Sequence, residues 1–200
     1  MKINSCWNNS CKGVKKKLQQ GLSLIEAAMV LALSAVVVAG VMAYYQSAST
    51  NEKTERTITE IMAVIASVNS IYSSAPDFSG LSSTVIAKSG FFPSSFVYKK
   101  DDGQLSIMAP YGDDIVVSDG TSFNKKIENE NAYYHIGVFA PRDVCANLAR
   151  LDLGSSLVAV NIAGRLFMGN LPTIKEAQEA CSQQVAYDDE KHVEISYTLH

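Results

Sequence analysis

Apolar positions follow three different spacings along this chain, and each predicts a different kind of element. From Ala27 to Ala43 (AAMVLALSAVVVAGVMA) there is no charge, and Ser34 is the only clearly polar side chain. A helix that is apolar on every side belongs in a large core or in lipid. Leu22 to Tyr45 makes about 36 Å of helix, enough to cross a bilayer core. Beyond Tyr45 the pattern narrows to a stripe, in which Ile58, Ile61, Ile65, Val68 and Tyr72 step by 3, 4, 3 and 4. That is one face of an α-helix, with Glu55, Thr59, Ser67 and Ser70 on the opposite faces. No proline precedes Pro76, so one helix of about 78 Å is predicted from Leu22 to Ser73. Gly40 weakens its first half by roughly 1 kcal/mol relative to alanine. SSAPDFSG ends it.

The remaining residues, 74–200, alternate in the manner of strands. SFVYKK and QLSIMA flank Asp102-Gly103, a hairpin signal. DIVVS, AYYHIGVF and LVAVNI are further strands. HVEISYTL sets Val193, Ile195, Tyr197 and Leu199 on one face, with His192, Glu194, Ser196 and Thr198 on the other. Two short helices interrupt the strands. PRDVCANLARL opens on Pro141, and TIKEAQEAC follows Pro172 with Thr173 and Glu176 at capping-box spacing. The predicted fold class is α+β: a long N-terminal helix, hydrophobic over 22–49 and amphipathic over 50–73, packed on an antiparallel sheet domain.

Charge orients this arrangement. The first 21 residues carry Lys2, Lys12, Lys15, Lys16, Lys17 and no acid, so the formal −3 of the 200-residue chain becomes −8 for residues 22–200. The basic end is expected in the cytoplasm and the C-terminal domain across the inner membrane. In a cleaved secretory signal, small residues at a cut site follow the apolar run. Here the run continues into helix-compatible sequence, which favours an uncleaved anchor or a cut ahead of the apolar segment.

Of the four cysteines, Cys6 and Cys11 lie in the basic leader and Cys145 and Cys181 on the two short helices. Removal of the leader leaves one pair in an oxidising compartment, where a disulfide is expected to bound the segment 145–181. A zinc site is the alternative. It needs two further ligands, and His135, His192 and His200 lack zinc-like spacing.

Gly21-Leu22-Ser23-Leu24-Ile25-Glu26, behind a basic leader and ahead of a long apolar helix, resembles the processing site of a type IV prepilin. The long leader, leucine rather than phenylalanine at position 22, and a first helical half without proline resemble the type IVb group, the bundle-forming pilins in particular. The similarity continues more weakly through FSGLSSTVI (78–86), the helix around Cys145 and LDLGSS (151–156). It fades across 90–130.

The resemblance implies that a prepilin peptidase removes residues 1–21 by cutting between Gly21 and Leu22, then methylates the Leu22 amine. Glyine at the cut lets a protease approach the backbone closely. Glu26 becomes the fifth mature residue and the assembly residue, its carboxylate neutralising the amino terminus of an adjacent copy. The competing account puts Glu26 near the membrane interface, snorkelling to water. Implied partners are other copies in a helical filament, inner-membrane assembly machinery, the membrane before assembly, and a host or bacterial surface receptor. The precursor is expected in the inner membrane and the assembled pilus outside the cell.

A structural subunit, most simply the major pilin, is therefore the leading expectation. A minor pilin of the same system and a pseudopilin of a type II secretion system share this N-terminus. Pseudopilins often bind calcium, for which Asp113, Asp114 and Asp119, or Asp188, Asp189 and Glu190, are present without regular oxygen-ligand spacing. No cofactor or metal is called for. An enzyme finds no support, since Gly-x-Ser-x-Gly, phosphate-loop and His-Glu-x-x-His motifs are all missing. Nucleic-acid binding is disfavoured by the acidic exported part and its dispersed basic residues. Phe91, Phe92, Phe96 and Tyr98 form an aromatic group that reads as strand and core packing, or as an adhesive patch.

Overall fold

A computed structural model describes residues 23–120, 129–183 and 192–200. It contains two compact units, one ending at Tyr45 and the other spanning Gln46–His200. Helix α1 runs from Leu24 to Tyr72. In the first unit its large apolar side chains, among them Met29, Leu33, Val37 and Val41, are each more than half exposed. This part is long and apolar enough to cross a bilayer.

In the second unit α1 buries a different set. Ile61, Val64 and Val68 reach zero exposure, accompanied by Thr57, Glu60 and Ser67. Ser67, expected on the polar side, is therefore a correction: the buried face is turned toward it, and Ile65 and Tyr72 lie at the margin. The hydroxyls of Thr57 and Ser67 each donate to the carbonyl four residues back, Lys53 and Ala63, both at 2.8 Å. A small side chain satisfied by its own helix is inexpensive to bury where the helix approaches the sheet.

The sheet has seven antiparallel strands: β1 (Val97–Lys99), β2 (Leu105–Met108), β3 (Asp114–Asp119), β4 (Tyr134–Pro141), β5 (Leu157–Ile162), β6 (Arg165–Met168) and β7 (His192–Leu199). Their spatial order is β1-β2-β3-β4-β7-β5-β6. The C-terminal strand thus sits in the interior, paired with β4 along its whole length and with β5 on its other side. Among the described residues the domain also holds three short α-helices: α2 (Ser83–Lys88), α3 (Arg142–Leu148) and α4 (Ile174–Ser182).

Period-two alternation decides which side chains enter the core. Tyr134, Ile136 and Val138 of β4, and Val193, Ile195, Tyr197 and Leu199 of β7, join Val144 and Leu148 of α3, Ala177 and Ala180 of α4, and the buried stripe of α1 in one cluster. On the other face of β7, Ser196 and Thr198 are also buried. They pair across the sheet with Gly137 and His135 of β4 on one side and with Asn161 and Ala159 of β5 on the other.

Helix α4 begins at the capping box read from its sequence: Glu176 N–H donates to the Thr173 hydroxyl at 3.3 Å, and Thr173 N–H donates to Glu176 Oε2 at 2.9 Å. Cys145 and Cys181 form a disulfide that ties α3 to α4, with 6.0 Å between Cα atoms. Both cysteines are buried in the cluster, so the crosslink lies inside the core rather than at its edge.

Candidate assembly site

The first turn of α1 carries a feature that the chain encodes locally. Serine followed three residues later by glutamate is a capping-box spacing, and Ser23 and Glu26 use it. Ser23 N–H donates to Glu26 Oε2 at 2.9 Å, and Glu26 N–H donates to the Ser23 hydroxyl at 3.3 Å. The Ser23 carbonyl also accepts the Ala27 N–H at 3.0 Å, closing the first turn. Glu26 is thereby directed toward the N-terminal end of the helix, where the partial positive charge of the backbone favours an anion. Gly21 and Leu22, and the leader cysteines Cys6 and Cys11, lie outside the described residues.

Behind that carboxylate the helix offers only apolar side chains up to Tyr45, apart from Ser34, whose hydroxyl donates to the Val30 carbonyl at 2.7 Å. Its polarity is thus consumed within the helix. A surface of this kind is suited to lipid, or to other helices of the same composition with small residues allowing close approach.

Asp113, Asp114 and Asp119 are each engaged by partners within the domain. Asp113 Oδ2 lies 2.7 Å from His192 Nδ1. Asp114 accepts the Tyr98 hydroxyl and pairs with Lys100. Burial and this neighbouring carboxylate push the Tyr98 hydroxyl up to about 12. Asp119 Oδ2 accepts the Gly80 N–H at 2.8 Å. Among the described residues no group of three or more His, Cys, Asp or Glu is arranged to hold a metal. Asp188, Asp189 and Glu190 lie outside the described residues.

The aromatic group divides. Phe92 is buried in the core, Phe96 and Tyr98 are partly covered, and Phe91 stands 51% exposed. Phe96 also lies beneath the Arg56 guanidinium, 4.5 Å from ring centre to carbon. Phe92 thus packs in the core as expected, whereas Phe91 stands largely in solvent.

The sequence profile of the bundlin family matches residues 46–200. The chain is 38% identical over 158 residues to the major structural subunit of the bundle-forming pilus of Escherichia coli O127:H6 (strain E2348/69 / EPEC), covering 76% of each protein. It is also 38% identical over 148 residues to the subunit of the same description from Escherichia coli O111:H-, covering 72% of this chain and 71% of that one. Among solved structures, the crystal structure of a type IV b pilin from Salmonella typhi superposes with a TM-score of 0.56 at 13% identity, covering 70% of this chain and 95% of that one. The last likeness speaks to fold. With the profile covering the whole domain and the two subunits aligned over most of their length, this chain belongs to the bundlin family.

Proposed function

We propose that this chain is a structural subunit, the major pilin, of a type IVb pilus, and that it polymerises with copies of itself through α1. The observation that carries the reading is the solvent-exposed apolar half of α1 with a carboxylate in its first turn. Relatives at 38% identity that are named as major pilus subunits support it.

Cleavage between Gly21 and Leu22 would leave a new amine one residue ahead of Ser23, beside the capping box. In the precursor the apolar segment spans the inner membrane, with the lysines on the cytoplasmic side and the domain in the periplasm. In the filament, helices pack against helices and the domain faces outward, outside the cell. Glu26 then meets the methylated amine of a neighbouring copy. Coulomb attraction grows as the dielectric falls, so the pair is far stronger within packed apolar helices than in water. A carboxylate accepts more than one donor, so its bond to the Ser23 N–H and a pairing with the neighbour's amine are compatible. Filaments of this kind serve adhesion between cells or to surfaces.

Mass spectrometry of sheared, purified filaments tests the reading. It is expected to find a chain beginning at methylated Leu22 as the bulk component. A start at Met1 refutes the processing step, and a trace abundance makes the chain a minor pilin instead.

A further inference from the structure

The apolar surface of α1 stops abruptly at a pair of tyrosines. Val41 and Met42 are exposed, Tyr44 and Tyr45 follow, and Gln46-Ser47-Ala48-Ser49-Thr50-Asn51-Glu52-Lys53 carries no large apolar side chain. Tyr44 is 78% exposed and Tyr45 74%. Several tyrosines of the domain use their hydroxyls internally, as Tyr98 does with Asp114, Tyr111 with Thr54 and Tyr197 with Leu148. Tyr44 and Tyr45 instead present ring and hydroxyl outward together. Adjacent helical positions point about 100° apart. The two rings therefore cover two sides of α1, which suits a surrounding medium better than a single packed neighbour.

The same apolar length has its other boundary at Glu26. Glu26 to Tyr44 is roughly 27 Å of helix at about 1.5 Å per residue. The hydrocarbon core of a bilayer is about 30 Å thick. No charged side chain lies between these two marks, and Ser34, near the middle, spends its hydroxyl on the Val30 carbonyl at 2.7 Å. A carboxylate and a pair of phenols thus stand at opposite ends of an apolar length that matches the core. Tyrosine collects at membrane–water boundaries because its ring is apolar while its hydroxyl needs a hydrogen-bond partner.

We propose that Tyr44 and Tyr45 form an anchor for the periplasmic lipid–water boundary of the inner membrane and hold α1 of the precursor at one depth. The proposal rests on the membrane-anchored precursor described above, and it adds what stops the helix from sliding. With the tyrosines fixed at one interface, Glu26 stands at the opposite, cytoplasmic one, accepting the Ser23 N–H. A carboxylate there is hydrated, whereas one drawn toward the bilayer centre is expensive. The acid therefore waits at little cost. Its need for a neighbour's amine arises when α1 leaves this depth for the filament.

Cysteine labelling tests the anchor. The full-length chain is expressed without the other pilus proteins, so that it stays in the inner membrane, and spheroplasts are treated with a membrane-impermeant maleimide. Cys145 and Cys181 are bonded to each other, and in this reading Cys6 and Cys11 face the cytoplasm, so an introduced cysteine reports alone. Val41→Cys is expected to label about tenfold or more slowly than Ser47→Cys, a step across the boundary. Tyr44→Ala with Tyr45→Ala should raise the Val41→Cys rate several-fold. Tyr44→Trp with Tyr45→Trp should keep it low, since tryptophan favours the same interface. An unchanged step in the alanine pair overturns the proposal, as does a tryptophan pair that behaves like the alanine pair. An unchanged step combined with loss of filaments in the native host also overturns it, placing the tyrosines between helices instead. Leu33→Cys labelled as fast as Ser47→Cys would take the segment out of the membrane, and the anchored-precursor reading itself falls.

Discussion

Ser23 and Glu26 hold each other across the first turn of α1, the carboxylate accepting one backbone N–H at 2.9 Å and the hydroxyl accepting the other at 3.3 Å. This reciprocal grip changes how the acid should be viewed. It satisfies a helix end and fixes the direction of its own carboxylate before any partner arrives. Filament assembly, in the proposed reading, adds an amine to an acid already aimed along the helix axis.

Ser23→Ala removes one bond of the box and costs about 1 kcal/mol of helix-end stability, the usual cost of losing an N-cap. Filament yield is expected to fall, but less than for Glu26→Ala, which removes the charge itself. Ser23→Thr, which retains the hydroxyl, should assemble normally. Immunoblots of sheared and cell-associated protein measure all three, and Ser23→Ala yields equal to the unaltered chain would deny the serine a positioning role.

The disulfide between α3 and α4 closes a segment with a sequence separation of 36. Chain-entropy reasoning assigns such a loop roughly 3–4 kcal/mol. Replacing Cys145 and Cys181 together by serine is expected to lower the thermal midpoint of the 46–200 domain by several degrees, read by circular dichroism. The loss should be larger than that figure alone implies, because the serine hydroxyls would be buried. An unchanged midpoint would contradict it.

Glu60 is almost fully buried on α1, with its Oε1 3.5 Å from the Arg56 guanidinium. Burial raises its pKa above the ordinary 4.5, and Arg56 pulls the other way without cancelling the shift. Below 4.5 the group is protonated in folded and unfolded chains alike. As pH rises through the interval up to the folded value, the unfolded chain releases its proton first, so stability falls. Above that interval the cost of the buried charge is fully present. Glu60→Gln is therefore expected to raise the midpoint at pH 7 by about 2–4 °C, corresponding to ~1 kcal/mol, with the gain vanishing toward pH 4. Thermal melts across this range check the sign. A stabilisation that grows on acidification would show the opposite linkage.

Tyr197 donates its hydroxyl to the Leu148 carbonyl at 2.6 Å, joining the interior strand β7 to α3 where no water reaches. Burial pushes its pKa well above the ordinary 10. Tyr197→Phe leaves that carbonyl its other donor, the Leu151 N–H at 2.9 Å, and should cost about 0.5–1.5 kcal/mol. Chemical denaturation measures it, with the midpoint moving and the slope unchanged if the fold is retained. A midpoint within error of the unaltered chain would mean the bond contributes nothing.

Local pattern determined much of this protein. The uninterrupted helix α1, six of the seven strands, helices α3 and α4, and the Thr173–Glu176 box all follow from spacings of 3.6 and 2 or from cap chemistry, which act between near neighbours. Cysteine arithmetic anticipated the Cys145–Cys181 pair. Two short elements escaped that logic. Helix α2 has six residues, too few to display a period, and is held by the Ser83 and Thr84 hydroxyls donating to strand carbonyls. Strand β6 follows a tight turn in which Ala163 and Gly164 both adopt positive φ. Such turns are usually signalled by Asn-Gly, and alanine hides this one.

Tertiary structure alone decided three further matters. It rotated the buried face of α1 onto Ser67 and Glu60, because the shape of the sheet beneath, and not average hydrophobicity, determines which side chains fit. It separated Phe91 from Phe92. It also built a cavity from β5, β6 and the residues around Asp152. Burial and cavities come from segments distant in sequence meeting in space, and no local spacing records where they meet.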